Sequence, residues 1–126
     1  MHIIGHHPPS SCLDSWGYNY YRIVNRYENT ISGQFFGHSH KDLFKIFYDI
    51  QNVSRAINVA YLGPSVTPGS FLNPGYRLYI IDGDYTNSSF QVLDHETMFL
   101  NLTDANLTNE PKWEFEYNAK VLSFSE

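Results

Sequence analysis

The chain has 126 residues, 42% hydrophobic, 17% aromatic and 17% charged, a composition that excludes a disordered tail, a charged linker or a coiled coil and allows one packed core. Its net charge of -5 gives no electrostatic basis for gripping nucleic acid or an anionic membrane surface. Apolar runs are strand-sized, as from Leu78 to Ile81, far short of the about twenty residues that span a bilayer.

In chain order, His2 to Ile4 is a short apolar run stopped by Gly5 and Pro8-Pro9, the pattern of a buried strand running into a stiff loop. Asp14 or Ser15 can cap a helix in which Trp16, Tyr20, Ile23, Tyr27 and Ile31 recur every three or four residues and form one stripe toward the core. Gln34 to Phe36 reads as a second strand ending at Gly37, Leu43 to Tyr48 as a third and Val59 to Leu62 as a fourth. A loop punctuated by proline and glycine follows from Gly63 to Pro74. Gly75 to Ile81 and Phe90 to Leu100 are longer strands, expected to form a hairpin turning over Asp82-Gly83-Asp84. After Pro111, the stretch with Trp113, Tyr117 and Lys120 is expected to begin a helix, so residues 109–126 would open a helical region. The alternation of strands and helices implies an α/β fold, and no repeat or linker divides residues 1–126.

The N-terminus has neither a basic lead nor a sustained apolar stretch, so no signal peptide is expected. Glycosylation acceptor patterns nevertheless begin at Asn52, Asn87, Asn101 and Asn106, as in secreted chains. The lone Cys12 has no disulfide partner within the chain. An interior piece of a longer secreted protein reconciles the three observations; a cytosolic protein with one buried thiol is the alternative.

Chemistry concentrates in histidine. Five of the six lie in the first forty residues, and those at strand ends occupy loops where a sheet fixes the backbone and leaves side chains free. In Gly37-His38-Ser39-His40 an extended backbone would put both imidazoles on one face, with Gly37 leaving room for an ion. Gly5-His6-His7-Pro8-Pro9 repeats the sequence of strand, glycine and histidine, so the two loops are expected to converge. Neutral imidazoles suit zinc better than calcium or magnesium. No acidic residue lies in a comparable loop to bridge two ions; Asp42 and Asp49 read as solvated strand or turn residues.

The strings IIGHHPP, YYRIVNRYENT, QFFGHSH, FYD, LNPGYRLY, IDGDY, LDHET and LNLTDAN resemble the C-terminal half of the metallophosphoesterase domain of the acid sphingomyelinases over nearly the whole chain. The resemblance implies part of a four-layer β-sandwich flanked by helices. It implies two zinc ions per complete site, with His6 and His38 as ligands of one and His40 as a ligand of the other. The remaining ligands and the general acid would lie in blocks that precede this segment, so the isolated chain is expected to be inactive. His7 stands where that family commonly has an apolar residue and is expected to be an exposed histidine or one beside the ligands. Cys12 would pair with an upstream cysteine, and Asn101 matches a glycosylation position. The implied activity is hydrolysis of sphingomyelin to ceramide and phosphocholine in a secreted or lysosomal setting, with any lipid surface met only through parts outside this chain. Tyr76 is a candidate wall for the choline end, because an aromatic face attracts a quaternary ammonium, although a core aromatic would look the same in sequence. Nucleotides or other small phosphodiesters are the alternative substrates, and a non-catalytic fragment is the alternative role.

Overall fold

A computed structural model describes residues 1–122 as α/β, with helix, sheet and sheet stacked in that order. Strands β1 (His2–Ile4), β2 (Gly33–Phe36), β3 (Leu43–Tyr48) and β4 (Ala56–Leu62) form sheet A in the order β1-β2-β4-β3. β2 runs parallel to both its neighbours, and β3 is antiparallel to β4. Strands β5 (Gly75–Ile81), β6 (Val92–Leu100) and β7 (Trp113–Asn118) form antiparallel sheet B. Helix α1 (Asp14–Arg26) covers one face of sheet A; short helices α2 (Leu102–Thr108) and α3 (Ala119–Leu122) flank β7. No helix among the described residues is long and apolar enough to cross a membrane.

Alternation along the strands of sheet A sorts side chains into two packed layers. Phe36, Phe47, Ala60 and Leu62 face α1 and close over Val24 and Ile31 as the main core. Within that core Gln34 is fully buried. Its carbonyl oxygen accepts from the Tyr20 hydroxyl at 2.7 Å, and its amide donates to Asn58 Oδ1 at 2.9 Å. Asn58 in turn donates to the Ile31 carbonyl at 2.7 Å, so the polar string is satisfied end to end. Burial pushes the Tyr20 pKa up to about 12, which keeps its hydroxyl protonated as the donor.

The opposite face of sheet A meets sheet B through rings. Tyr79 packs edge-on to Phe35 and Tyr61, and His95 packs edge-on to Tyr61, Tyr79 and Tyr117. The Arg77 guanidinium is buried beside this layer, paired with Asp42 of the loop before β3, while Arg77 Nε donates to Thr97 Oγ1 at 3.1 Å. Thr97 and Tyr117 hydroxyls also donate to the Asp42 carboxylate. The expectation of a solvated Asp42 is therefore corrected, because its partners come from β5, β6 and β7. Burial raises the Asp42 pKa, but the hydrogen bonds from Arg77 and Tyr117, the Arg77 charge and the Thr97 hydroxyl outweigh it and hold the carboxyl below its ordinary value. Asp49 follows β3 in a turn, but it too is not simply solvated: its side chain is 17% exposed and ion-paired with Arg55 at 2.7 Å.

Several expected elements differ. α1 ends at Arg26, and its buried side carries Tyr20, Tyr21 and Val24, whereas Trp16, Ile23 and Tyr27 are about half exposed. The centre of the buried side is displaced because Gly17 belongs to it: a Cβ there would stand 3.0 Å from the Pro9 carbonyl oxygen, so glycine permits the close approach of helix and loop. β4 starts at Ala56 rather than Val59. Residues 82–91 form a longer loop than the expected tight turn, organised by Asp82, which accepts from Tyr85 and Ser89. β6 starts at Val92 because Phe90 has a left-handed φ of 55°. The helix expected from Trp113 is instead β7, whose alternating Trp-Glu-Phe-Glu-Tyr-Asn suits the open side of β6; helix begins only at Ala119. The remainder of the region 109–126, from residue 123, lies outside the described residues.

Candidate metal centre

The adjacent parallel strands β1 and β2 end at the same edge of sheet A, and the loops that leave them are tied together by backbone bonds. Gly5 N–H donates to the Phe35 carbonyl at 3.0 Å, and Gly37 N–H donates to the His6 carbonyl at 3.0 Å. This places His6, His7 and His38 side by side. Ring centroids are 5.3 Å apart for His6 and His38, 5.0 Å for His6 and His7, and 4.0 Å for His7 and His38. One ring nitrogen from each lies within 4.8 Å of the other two, and all three residues are exposed. The expected convergence of the two loops is present. A Cβ at Gly37 would sit 3.7 Å from His6 Nδ1, so glycine keeps space open beside that nitrogen.

The Gly37-His38-Ser39-His40 segment is not extended, contrary to expectation. His38 and His40 both have left-handed backbone, with φ of 71° and 60°, and the Ser39 N–H donates to the Gly37 carbonyl at 2.9 Å. The two imidazoles are consequently sent to different places: His38 joins His6 and His7, whereas His40 turns toward the loop after β4. There His40 Nδ1 is buried without a hydrogen-bond partner, and a Cβ at Gly69 would stand 3.3 Å from it. Left-handed backbone at two non-glycine residues is costly and concentrates at functional sites. Desolvation, then the charges of His7, His6 and His40, lower the His38 pKa from its ordinary value and favour the neutral, lone-pair-bearing imidazole.

Zinc suits this donor set. Imidazole nitrogens are among its usual ligands, the three clustered rings are open to solvent as a catalytic position requires, and the buried His40 Nδ1 is a donor with no other use. His6 and His38 would hold one ion, and His40, from the other side of its loop, a second.

Tyr76 is not one of the three clustered residues. It is on the face of β5 opposite to Arg77 and Tyr79, hence away from sheet A, with its ring edge-on to Trp113 at 4.8 Å. Trp113 is its neighbour because residues 113–118 form β7 rather than the expected helix. Cys12 is partly exposed and free among the described residues, its thiol 3.7 Å from the Pro8 carbonyl. Asn52, Asn87 and Asn106 are exposed; Asn101 is partly buried and caps α2, its side-chain oxygen accepting from the N–H groups of Thr103 and Asp104. His95, the remaining histidine besides His2, is in the layer between the sheets with Nδ1 unpartnered.

Residues 55–122 match the family profile described as the acid sphingomyelin phosphodiesterase C-terminal region. The chain is 58% identical over 121 residues to sphingomyelin phosphodiesterases of Bos taurus and Homo sapiens, covering 95% of this chain and 19% of each of those proteins. It is 43% identical over 124 residues to sphingomyelin phosphodiesterase 2 of Caenorhabditis elegans, covering 95% of this chain and 20% of that protein. The chain thus spans about a fifth of the length of the curated relatives it matches.

Proposed function

Because the chain belongs to the acid sphingomyelin phosphodiesterase family, we propose that it carries part of the metal centre of a hydrolase that splits sphingomyelin into ceramide and phosphocholine. The observation that carries this reading is the meeting of His6 and His38 at neighbouring strand ends, in a chain so similar to proteins of that name.

Zinc held by these histidines would supply Lewis acidity toward the phosphodiester and lower the pKa of water. The chain's own contribution is positional. Parallel β1 and β2 fix the His6 and His38 loops, and imidazole is a ligand that offers a lone pair without adding charge. The left-handed turns at His38 and His40 send successive histidines to two sides of one loop, which matches a centre of two ions. The Asp42 carboxylate anchors the end of that loop to sheet B. Breaking the bond from phosphorus to the ceramide oxygen requires a proton donor for the leaving alkoxide, a role assigned to residues outside this chain. The isolated chain is accordingly inactive.

The exposed acceptor patterns at Asn52, Asn87 and Asn106, with Asn101 at a helix cap, accord with a secreted or lysosomal glycoprotein in which Cys12 pairs with a cysteine outside the chain. Tyr76 would flank the choline group, contacts with a lipid surface would fall to other parts of the protein, and nucleic acid is no partner.

The test is made in the complete protein. His38→Ala and His40→Ala should each abolish sphingomyelin hydrolysis and lower bound zinc while leaving the circular dichroism spectrum unchanged, since both side chains lie in loops. Full activity with unchanged metal content in both variants refutes the assignment. A preference for a nucleotide phosphodiester over sphingomyelin in the unmodified protein would move the substrate to the alternative class.

A further inference from the structure

His7 has no assigned role, yet it is the ring closest to His38. Adjacent residues in a regular strand point to opposite faces of the sheet, so His6 and His7 would diverge if β1 continued. It stops at Ile4, and the backbone bends at His6 and His7. Pro8 restricts the backbone of the residue before it, and buried Pro8 and Pro9 seat the loop against the helix side of the molecule. The bend brings both rings to the same side, around His38.

None of the three rings is hydrogen-bonded to another described residue, so their nitrogens are available. Tetrahedral zinc with nitrogen ligands at about 2.0–2.1 Å needs those nitrogens about 3.4 Å apart. The present spread, within 4.8 Å, is a gap of the size that rotation of exposed side chains can close. Chemistry and position coincide: three imidazole nitrogens on one side, solvent on the other.

We propose that His7 completes a three-imidazole face with His6 and His38 that binds one zinc-class ion using this chain alone, with a coordination position open to solvent. The inference shares His6 and His38 with the function proposed above but needs neither a second metal nor any residue outside the chain; His7 takes the place of a ligand that the two-ion centre would draw from elsewhere.

The experiment titrates the metal-free chain 1–126 with cobalt(II), reading its visible ligand-field bands, and then displaces cobalt with zinc against a chromophoric chelator. The expected result is one ion per chain with the band intensity of low coordination number. His7→Ala and His7→Gln should each weaken binding by more than the about 10- to 100-fold typical of a residue that merely supports a ligand, and should change the cobalt spectrum. Circular dichroism of each variant reports folding, which an exposed ring does not govern. Absence of binding in the unmodified chain or unchanged affinity in the His7 variants would overturn the proposal. Binding as expected here beside a complete protein without phosphodiesterase activity would support this site and refute the proposed function.

Discussion

Replacing Asp42 by Asn tests how the histidine loop is held to the second sheet. The Arg77 side chain is 2% exposed and the Asp42 side chain 29%, so the guanidinium has little water to turn to once its counter-charge is gone. Removing one partner of such a pair costs about 3–5 kcal/mol, a large share of the about 5–15 kcal/mol that holds a domain together. Arg77→Met should cost less, about 1–3 kcal/mol, because the remaining carboxylate reaches solvent and keeps the Tyr117 and Thr97 hydroxyls as donors. The double variant should fall short of the sum, since the two act through one interaction. Urea unfolding followed by the emission of Trp16 and Trp113 would read the first change as a midpoint shift of about 2 M. The folded Asp42 carboxyl titrates below its unfolded value of about 3.9. Its stabilisation is therefore full above that value and is lost as pH falls through the folded pKa, an acid-dependent component that Asp42→Asn should lack. A cost below about 1 kcal/mol for Asp42→Asn, or a larger one for Arg77→Met, would refute the claim that the buried guanidinium depends on this carboxylate.

Tyr76→Ala should lower kcat/KM on sphingomyelin by about 2- to 30-fold, the worth of a cation-π contact of about 0.5–2 kcal/mol, while Tyr76→Phe keeps most of it. A nucleotide phosphodiester should feel neither change, and equal losses on both substrates would make Tyr76 a packing residue against Trp113. Asn101→Ala should destabilise by about 0.5–2 kcal/mol through loss of the α2 cap, even in protein made without glycans. An unchanged melting midpoint in that unglycosylated protein would show that the cap contributes nothing.

What could be read from sequence is what neighbouring residues decide. β1, β2, β3 and β5 keep their expected bounds or shift by one residue, because each is an apolar run closed by glycine or a polar turn. The loops of His6 and His38 meet as anticipated, since parallel neighbours end at one edge. Distant partners decide the rest. Trp113 to Asn118 becomes a strand because β6 offers it an edge, and Asp42 is held by partners that lie 35, 55 and 75 residues away. The role of Gly17 carries no hydropathy signal, so the helix side it belongs to cannot be centred from apolar spacing. The left-handed turns at His38 and His40 are equally silent, since no glycine marks them. α2 is absent from the expected elements because the pattern at Asn101 is equally that of a sugar acceptor, although asparagine is also a preferred helix cap.

The amide of Gln34 also bears on how the chain reaches this state. A slip of one residue in the pairing of β2 would turn that side chain toward Phe35's present neighbours, Tyr61 and Tyr79, and strand Tyr20 and Asn58 without their shared partner. Apolar side chains alone would tolerate such a mistake, because one hydrocarbon surface packs on many others. Each orphaned polar group instead costs about 1–3 kcal/mol, so the misaligned pairing is penalised by this face of the sheet alone. The parallel strands that set the spacing of His6 and His38 are thereby proofread by an amide on the far side of the sheet.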